Sequence, residues 1–211
     1  MSKIKVAIQG ELGAYSHIAV ERLYKDVDIK TCSTFEETFK QSYNDSNYKI
    51  IIPIENSLAG RVADIHYLLP KYKLQIHGEY FLPVEHNLLG KPDANIDDIK
   101  YVRSHAQAIS QCQKIIAKRK FKPIISVDTA GSAKDLAQGK DKSIAAIASD
   151  LSAKMYNLKI LQKNIEDEKG NVTRFLIMGK NIEQPEYATD KKFITSCIFR
   201  VKSEPSALYK C

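Results

Sequence analysis

The sequence predicts an α/β protein of two lobes, and three observations carry that expectation. Short β-branched runs alternate with stretches of helical period almost throughout; one extended segment, Leu74–Leu89, breaks the alternation; and the small polar clusters fall where strands give way to helices. Size and composition agree with it. The chain has 211 residues, 44% of them hydrophobic and 27% charged, enough to bury a core without disulfides or a structural metal. Collagen, coiled coil and wholesale disorder are excluded on the same figures.

Ile4–Gln9 reads as a strand, and Ser16–Tyr24 then carries Ile18, Val20 and Leu23 at helical spacing. A strand at Ile29–Cys32 and a helix at Phe35–Tyr43 follow. Lys49–Pro53 is a continuous apolar run, the mark of a strand buried on both faces. Leu58–Leu69 returns to helical period through Val62, Ile65 and Leu69. Leu74–Leu89 is long and extended, with Gly78 and Pro83, and reads as a crossing between lobes. The second half repeats the grammar: strand Tyr101–Arg103, helix Gln107–Lys118, strand Ile124–Val127, helix Ser132–Gln138, strand Ile144–Ala148, helix Ser149–Tyr156. A return crossing is expected near Leu158–Val172, and Phe193–Val201 reads as one more strand. This pitch argues for βαβ units and largely parallel sheets. The first lobe would cover about 4–75 with 158–180, the second about 76–157.

Charge and cysteines narrow the classes. Thirty-two basic against 25 acidic residues give +7, which favours anionic partners. The densest basic cluster, Lys118-Arg119-Lys120 with Lys122, suits the solvated end of a helix; no aromatic-interleaved stripe accompanies it, so no nucleic-acid partner is expected. No apolar run approaches the ~18 residues of a membrane span, and Met1–Ile8 has too short an apolar core for a signal peptide. Cys32, Cys112, Cys197 and Cys211 are scattered, with no Cys-x-x-Cys pair and no histidines at ligand spacing. The expectation is a reducing cytoplasm, no metal site and no disulfide framework.

The polar clusters Gly10–Ser16, Glu55-Asn56-Ser57, Ser104-His105 and Asp128–Ser132 each follow a predicted strand. In open α/β sheets this edge binds ligands, and helix N-termini there favour an anion. Ser16, Ser57 and Ser132 also suit helix N-caps. Gly10-x-x-Gly13 is neither the dinucleotide fingerprint nor a P-loop. No Gly-x-Ser-x-Gly elbow is present, and His66 and His77 read as solvated or structural. Thr173-Arg174 opens an apolar strand, putting a hydroxyl and a guanidinium at a sheet end; a strand residue beside an exposed cation would look the same.

These turns, in this order, resemble the prephenate dehydratase family over about residues 4–180. The matching stretches are Gly10–His17, Pro53–Ser57 with Gly60, His86–Leu89, Ser104–Ala108 through Gln111-Cys112, Asp128–Lys134, Ala145–Ser149, and Ile165–Asp167 with Asn171–Phe175. Ala106 departs from the pattern, which has proline after Ser-His. The resemblance implies a bilobal α/β fold similar to type II periplasmic binding proteins, with the substrate in the cleft between lobes. It implies decarboxylating dehydration of prephenate to phenylpyruvate in L-phenylalanine biosynthesis, with no cofactor, no metal and no membrane partner, in a homodimer or higher homo-oligomer.

The same resemblance gives Thr173 the task of donating to the departing C4 hydroxyl, with Glu55 or Asp128 as hypothetical backing. It makes Ser16, Asn56, Ser57, Ser104, Gln107, Gln111, Thr129, Asn171 and Phe175 substrate-contacting residues, and leaves Arg174 either facing the carboxylates or bracing the loop. Arogenate, with an amino in place of the keto group, is the alternative substrate. A non-catalytic two-lobed carboxylate-binding protein is the alternative class, and Thr173-Arg174-Phe175 speaks against it because a pure binder has no need of that motif. Lys192–Val201 and Glu204–Tyr209 resemble the opening of an amino-acid-binding ACT domain, with Ser206 where the family has glycine. Residues 192–211 are therefore expected to be the truncated start of such a domain, and phenylalanine is expected to leave activity unchanged.

Overall fold

A computed structural model describes residues 3–181 and, beyond them, 186, 188–190, 192, 195, 199 and 201–210. Strands β1 (Ile4–Gln9), β2 (Val27–Cys32) and β3 (Tyr48–Asn56) pair in parallel with β1 in the middle, joined by helices α1 (Tyr15–Leu23) and α2 (Phe35–Asn44). Ile50, Ile51 and Ile52 of β3 are all fully buried: Ile50 and Ile52 pack with Phe39 and Ile65, while Ile51 packs with Val6, Ile8 and Phe175. Two covered faces are why this run does not alternate. The short strand β4 (Gly60–Arg61) then folds back on the end of β3, and α3 (Ala63–Tyr72) follows. The helix expected from Leu58 thus starts only at Ala63. Gly60 has φ +79°, a turn conformation that no helix continues through.

The extended segment Leu74–Leu89, expected to cross between lobes, is mostly strand β5 (Gln75–Pro83). Most of it belongs to the first sheet, and the crossing itself is confined to residues 84–86. In the second lobe come β6 (Asn87–Gly90), β7 (Tyr101–His105), α4 (Ala106–Ser110), α5 (Gln113–Arg119), β8 (Lys122–Ser126), α6 (Thr129–Gln138), β9 (Ile144–Ala148), α7 (Asp150–Met155) and β10 (Lys159–Gln162). The single helix expected over Gln107–Lys118 is broken at Gln111-Cys112. Asp167 accepts from the N–H groups of Gln113 and Lys114 at 2.7 and 2.9 Å, which starts a new helix there. The chain returns across 163–171 and ends this part as β11 (Val172–Gly179).

Among the described residues, the first sheet runs β2-β1-β3-β11-β5, with β4 beside β3, and the second runs β10-β6-β9-β7-β8. Neither is largely parallel. β11 is antiparallel to both β3 and β5, and β6 is antiparallel to both β9 and β10. The reason is the double crossing: β11 and β6 begin at the edge between the lobes, where β3, β5 and β9 end.

Two clusters tie the lobes together. The crossings lie side by side, with Val84 N–H donating to Asn171 O and Ile165 N–H to His86 O, both at 2.8 Å. Elsewhere the 10–14 loop of the first lobe is clasped by the second. Ser149 and Ser152 hydroxyls donate to Gly13 O at 2.6 and 3.0 Å, and Tyr156 donates to Leu12 O at 2.7 Å. Gly13 has φ +93°, and a Cβ there would lie 2.9 Å from the Cα of Ser152.

The expected serine caps are elsewhere. α1 follows Ala14 with no side-chain cap, Ser57 lies in the β3–β4 turn, and Ser132 is inside α6. The α-helices are capped by the side chains of Thr34, Asp128 and Ser149, each accepting from an N–H three residues on, and by His105, which accepts from Gln107 N–H. Among the described residues, no helix is long and apolar enough to cross a membrane. The strand expected over 193–201 lies largely outside the described residues, while Ser206, where the resembled loop has glycine, has φ 63°.

Candidate active site

A cleft of about 830 Å³ separates the two sheets. From the first lobe it is lined by Gln9, Gly10, Tyr15, Ser16, Asn56, Arg61, Thr173 and Phe175, and from the second by His105, Gln107, Gln111, Val127, Asp128 and Thr129. Strand ends and the first turns of helices therefore do converge, because β1, β3, β7 and β8 all finish here.

Thr173 sits opposite Asn56 in the β3–β11 pairing. Asn56 Oδ1 accepts from the N–H groups of Leu58 and Ala59 at 3.1 and 2.9 Å. That fixes which end of the amide is nitrogen. Nδ2 consequently donates to Thr173 Oγ1 at 3.0 Å and to Asn171 Oδ1 at 2.6 Å. A hydroxyl that already accepts keeps its own proton to give, and that proton has no acceptor among the described residues. Thr173 is thus a donor aimed by Asn56.

Neither carboxylate expected to back Thr173 reaches it. Glu55 pairs with Arg174 in the register, and its carboxylate meets Arg174 Nη1 at 3.0 Å. Glu79 meets Arg174 Nη2 at 2.7 Å, and Phe81 lies under the guanidinium at 5.9 Å. Successive strand residues point to opposite faces, so Thr173 faces the cleft while Arg174 and Glu55 brace the sheet behind it. Asp128 does line the cleft, but its Oδ1 takes the N–H of Gly131 at 2.5 Å as the α6 cap.

The remaining expected residues divide. Ser16, Gln107, Gln111, Thr129 and Phe175 line the cleft. Ser104 does not: it is fully buried and donates to Ile147 O at 2.7 Å, tying β7 to β9. Ser57 holds the crossing instead, donating to Gly170 O and accepting from Val172 N–H, both at 2.9 Å. Asn171, 3% exposed, stands between the lobes and donates from Nδ2 to Gln111 Oε1 at 3.0 Å.

Sequence reasoning passed over Tyr15, His86 and Arg61. Tyr15 and His86 are within hydrogen-bond distance, Tyr15 Oη to His86 Nδ1 at 2.7 Å, and His86 Nε2 lies 2.8 Å from Gln111 Oε1. Burial raises the Tyr15 hydroxyl well above its ordinary range and lowers His86 below 6.5, against the opposing pull of Gln111 and Glu166. His86 was visible only as part of a motif; its place between Pro83 and the apolar pair Leu88-Leu89 was the available signal. Arg61 was hidden by reading its hairpin as helix, although Ser57 to Gly60 is turn-like. Among the described residues no group of three or more His, Cys, Asp or Glu is placed to hold a metal ion.

The prephenate dehydratase family profile matches residues 6–183. The chain is 37% identical over 209 residues to the arogenate dehydratase/prephenate dehydratase 2, chloroplastic, of Arabidopsis thaliana, covering 99% of this chain and 54% of that protein. It is 38% identical over 208 residues to the bifunctional N-acyl-homoserine lactone acylase/prephenate dehydratase of Komagataeibacter europaeus, covering 97% and 73%. The solved prephenate dehydratase of Staphylococcus aureus subsp. aureus Mu50 superposes with a TM-score of 0.73 at 28% identity, over 85% of this chain and 67% of that one. The chain spans about half the length of the plant relatives it matches. With the profile covering most of its length and these likenesses beside it, the chain belongs to the prephenate dehydratase family.

Proposed function

We propose that residues 4–180 catalyse the decarboxylating dehydration of prephenate to phenylpyruvate, carbon dioxide and water. One observation carries the reading: a threonine hydroxyl that accepts from Asn56 and has its proton left for a ligand in the cleft. The C1–carboxylate bond breaks, its electron pair enters the ring, and the C4–oxygen bond gives up hydroxide, which solvent neutralises. Aromatisation supplies the driving force. The protein has to hold the ring and stabilise charge growing on the departing oxygen. Threonine has no useful free acidity, so Thr173 acts as a positioned donor; losing one such donor typically costs about 10²–10³ in kcat. Ser16, Gln107, Gln111 and Thr129 are the polar contacts of the ring and carboxylates in this reading, with Phe175 against the ring.

Arogenate shares the C4 hydroxyl and ring carboxylate, so the same Thr173 chemistry serves it, and relatives named for both substrates keep it as the second substrate. A cytoplasmic homodimer completes the proposal. The test incubates purified protein with prephenate and follows phenylpyruvate absorbance in alkali, with arogenate in parallel and its amino-acid product, phenylalanine, read by chromatography. Phenylpyruvate from prephenate is the expected result; a protein that converts neither substrate would sink the reading.

A further inference from the structure

The polar chain running from Thr173 across both lobes has a single permitted direction, and that direction reaches residues outside the motif roles. It starts at Leu58 and Ala59, whose N–H groups fix Asn56 Oδ1. Asn56 Nδ2 then fixes Asn171 Oδ1, so Asn171 presents Nδ2 to Gln111. Gln111 must meet it with Oε1. The same oxygen lies 2.8 Å from His86 Nε2, and two acceptors cannot share a hydrogen bond, so Nε2 carries the proton. His86 Nδ1 is left as an acceptor 2.7 Å from the Tyr15 hydroxyl, whose one proton is shared between it and Glu85 O at 2.9 Å. The backbone of His86 is anchored separately, its N–H donating to Glu166 at 2.9 Å and its carbonyl accepting from Ile165.

The end of this chain is in the cleft. With Oε1 of Gln111 taken by His86 and Asn171, the Nε2 amide hydrogens have no acceptor among the described residues, and Gln111 lines the cleft. We propose that His86 is a positioning residue, which locks the Gln111 amide so that its nitrogen, not its oxygen, faces the ligand carboxylate. This deepens the dehydratase reading and rests on it for the identity of the anion. An unlocked Gln111 could turn its oxygen to the carboxylate, replacing an attraction by a repulsion.

The test has a spectroscopic arm and a kinetic arm. Nitrogen-15 NMR of the ligand-free protein near neutral pH should show His86 neutral and protonated on Nε2; protonation on Nδ1 alone would reverse Gln111 and overturn the proposal whatever the enzyme does. In the kinetic arm, His86→Leu should raise the KM for prephenate at least about tenfold while kcat stays within a few-fold, the loss of a hydrogen bond to a charged partner. His86→Gln, which can still donate to Gln111, should restore KM to within about threefold of the parent. If His86→Leu fails to fold, the Gln variant against His86→Glu, which offers Gln111 an acceptor instead, makes the same comparison. Equal KM values in the donor and acceptor variants would also overturn it. A parent that converts no prephenate fails the proposed function alone, since calorimetric binding of phenylpyruvate to the same variants still reads the anion contact; unchanged affinity across them rules His86 out.

Discussion

Two polar clusters join the lobes, and they end differently. In the clasp around Gly13, the Ser149, Ser152 and Tyr156 hydroxyls all finish on backbone carbonyls, so every proton is spent inside the protein. In the chain through Tyr15, His86, Gln111, Asn171 and Asn56, the direction of donation leaves the Thr173 hydroxyl proton and the Gln111 amide hydrogens without protein acceptors, both at the cleft. Both clusters bridge long sequence separations with hydrogen bonds of ordinary length. What separates the two clusters is the unspent donor at the end of one of them. The clasp should therefore answer to stability measurements and the relay to kinetics.

The largest expected effect is on the relay. Thr173→Ala should lower kcat by about 10²–10³ with the melting temperature nearly unchanged, while Thr173→Ser keeps most activity because the donor survives. An alanine variant with parental turnover would show that the relay's end is not chemical. Asn56→Asp comes next. The replacement fills the same space but cannot donate to Thr173, so the threonine proton turns back toward it; steady-state kinetics should show kcat down by about 10²-fold. Gly13→Ala moves the contrast to the clasp. Its Cβ meets Ser152 in a left-handed backbone, and denaturant titration should show a loss of about 2–4 kcal/mol, with the remaining folded protein turning over normally. Ser152→Ala should cost only about 1 kcal/mol and leave kcat alone, since Ser149 still donates to Gly13 O.

The smallest effect is a pH dependence common to both clusters. Burial lowers the pKa of His86 in the relay and of His17, whose Nδ1 accepts from Gly13 N–H at 2.9 Å beside the clasp. A histidine with a depressed folded pKa takes up its proton more readily when unfolded. The stability these sites support is complete above their ordinary value of 6.5 and is lost as pH falls from there toward the folded values. Melting temperatures measured from pH 8 to pH 5 should fall on the acid side, and less steeply in His86→Gln. A flat profile would contradict the burial of these rings.

How much of this was legible in the sequence depended on whether local pattern or distant partners decided the outcome. β3 was readable from Lys49–Pro53 because two covered faces leave a continuous apolar run. The edge where ligands would gather was readable because turn chemistry marks strand ends. The break at Gln111-Cys112 was not, since Ile109, Cys112, Ile115 and Ile116 keep helical period straight through it; the interruption comes from Asp167, more than fifty residues on. Thr173 was found through resemblance, yet its backing was assigned to charged Glu55 and Asp128. The pleat turns Glu55 away and α6 claims Asp128, so the group bonded to the Thr173 hydroxyl is the neutral amide of Asn56. Ser104 looked like a cleft residue because it ends a strand, but alternation along β7 turns it into the core.

The double crossing bears on the order in which the molecule can be made. β11 lies between β3 and β5 in the first sheet, so the first lobe lacks an inner strand until residues 172–179 exist. A chain leaving the ribosome presents β3 and β5 as two unpaired edges for as long as 84–171 takes to emerge. The inserted lobe has all five of its own strands by Gln162 and can close before its host. The lobe begun first is thus finished last. Its exposed edges in the interval are where this chain is open to mispairing and to capture by chaperones during synthesis.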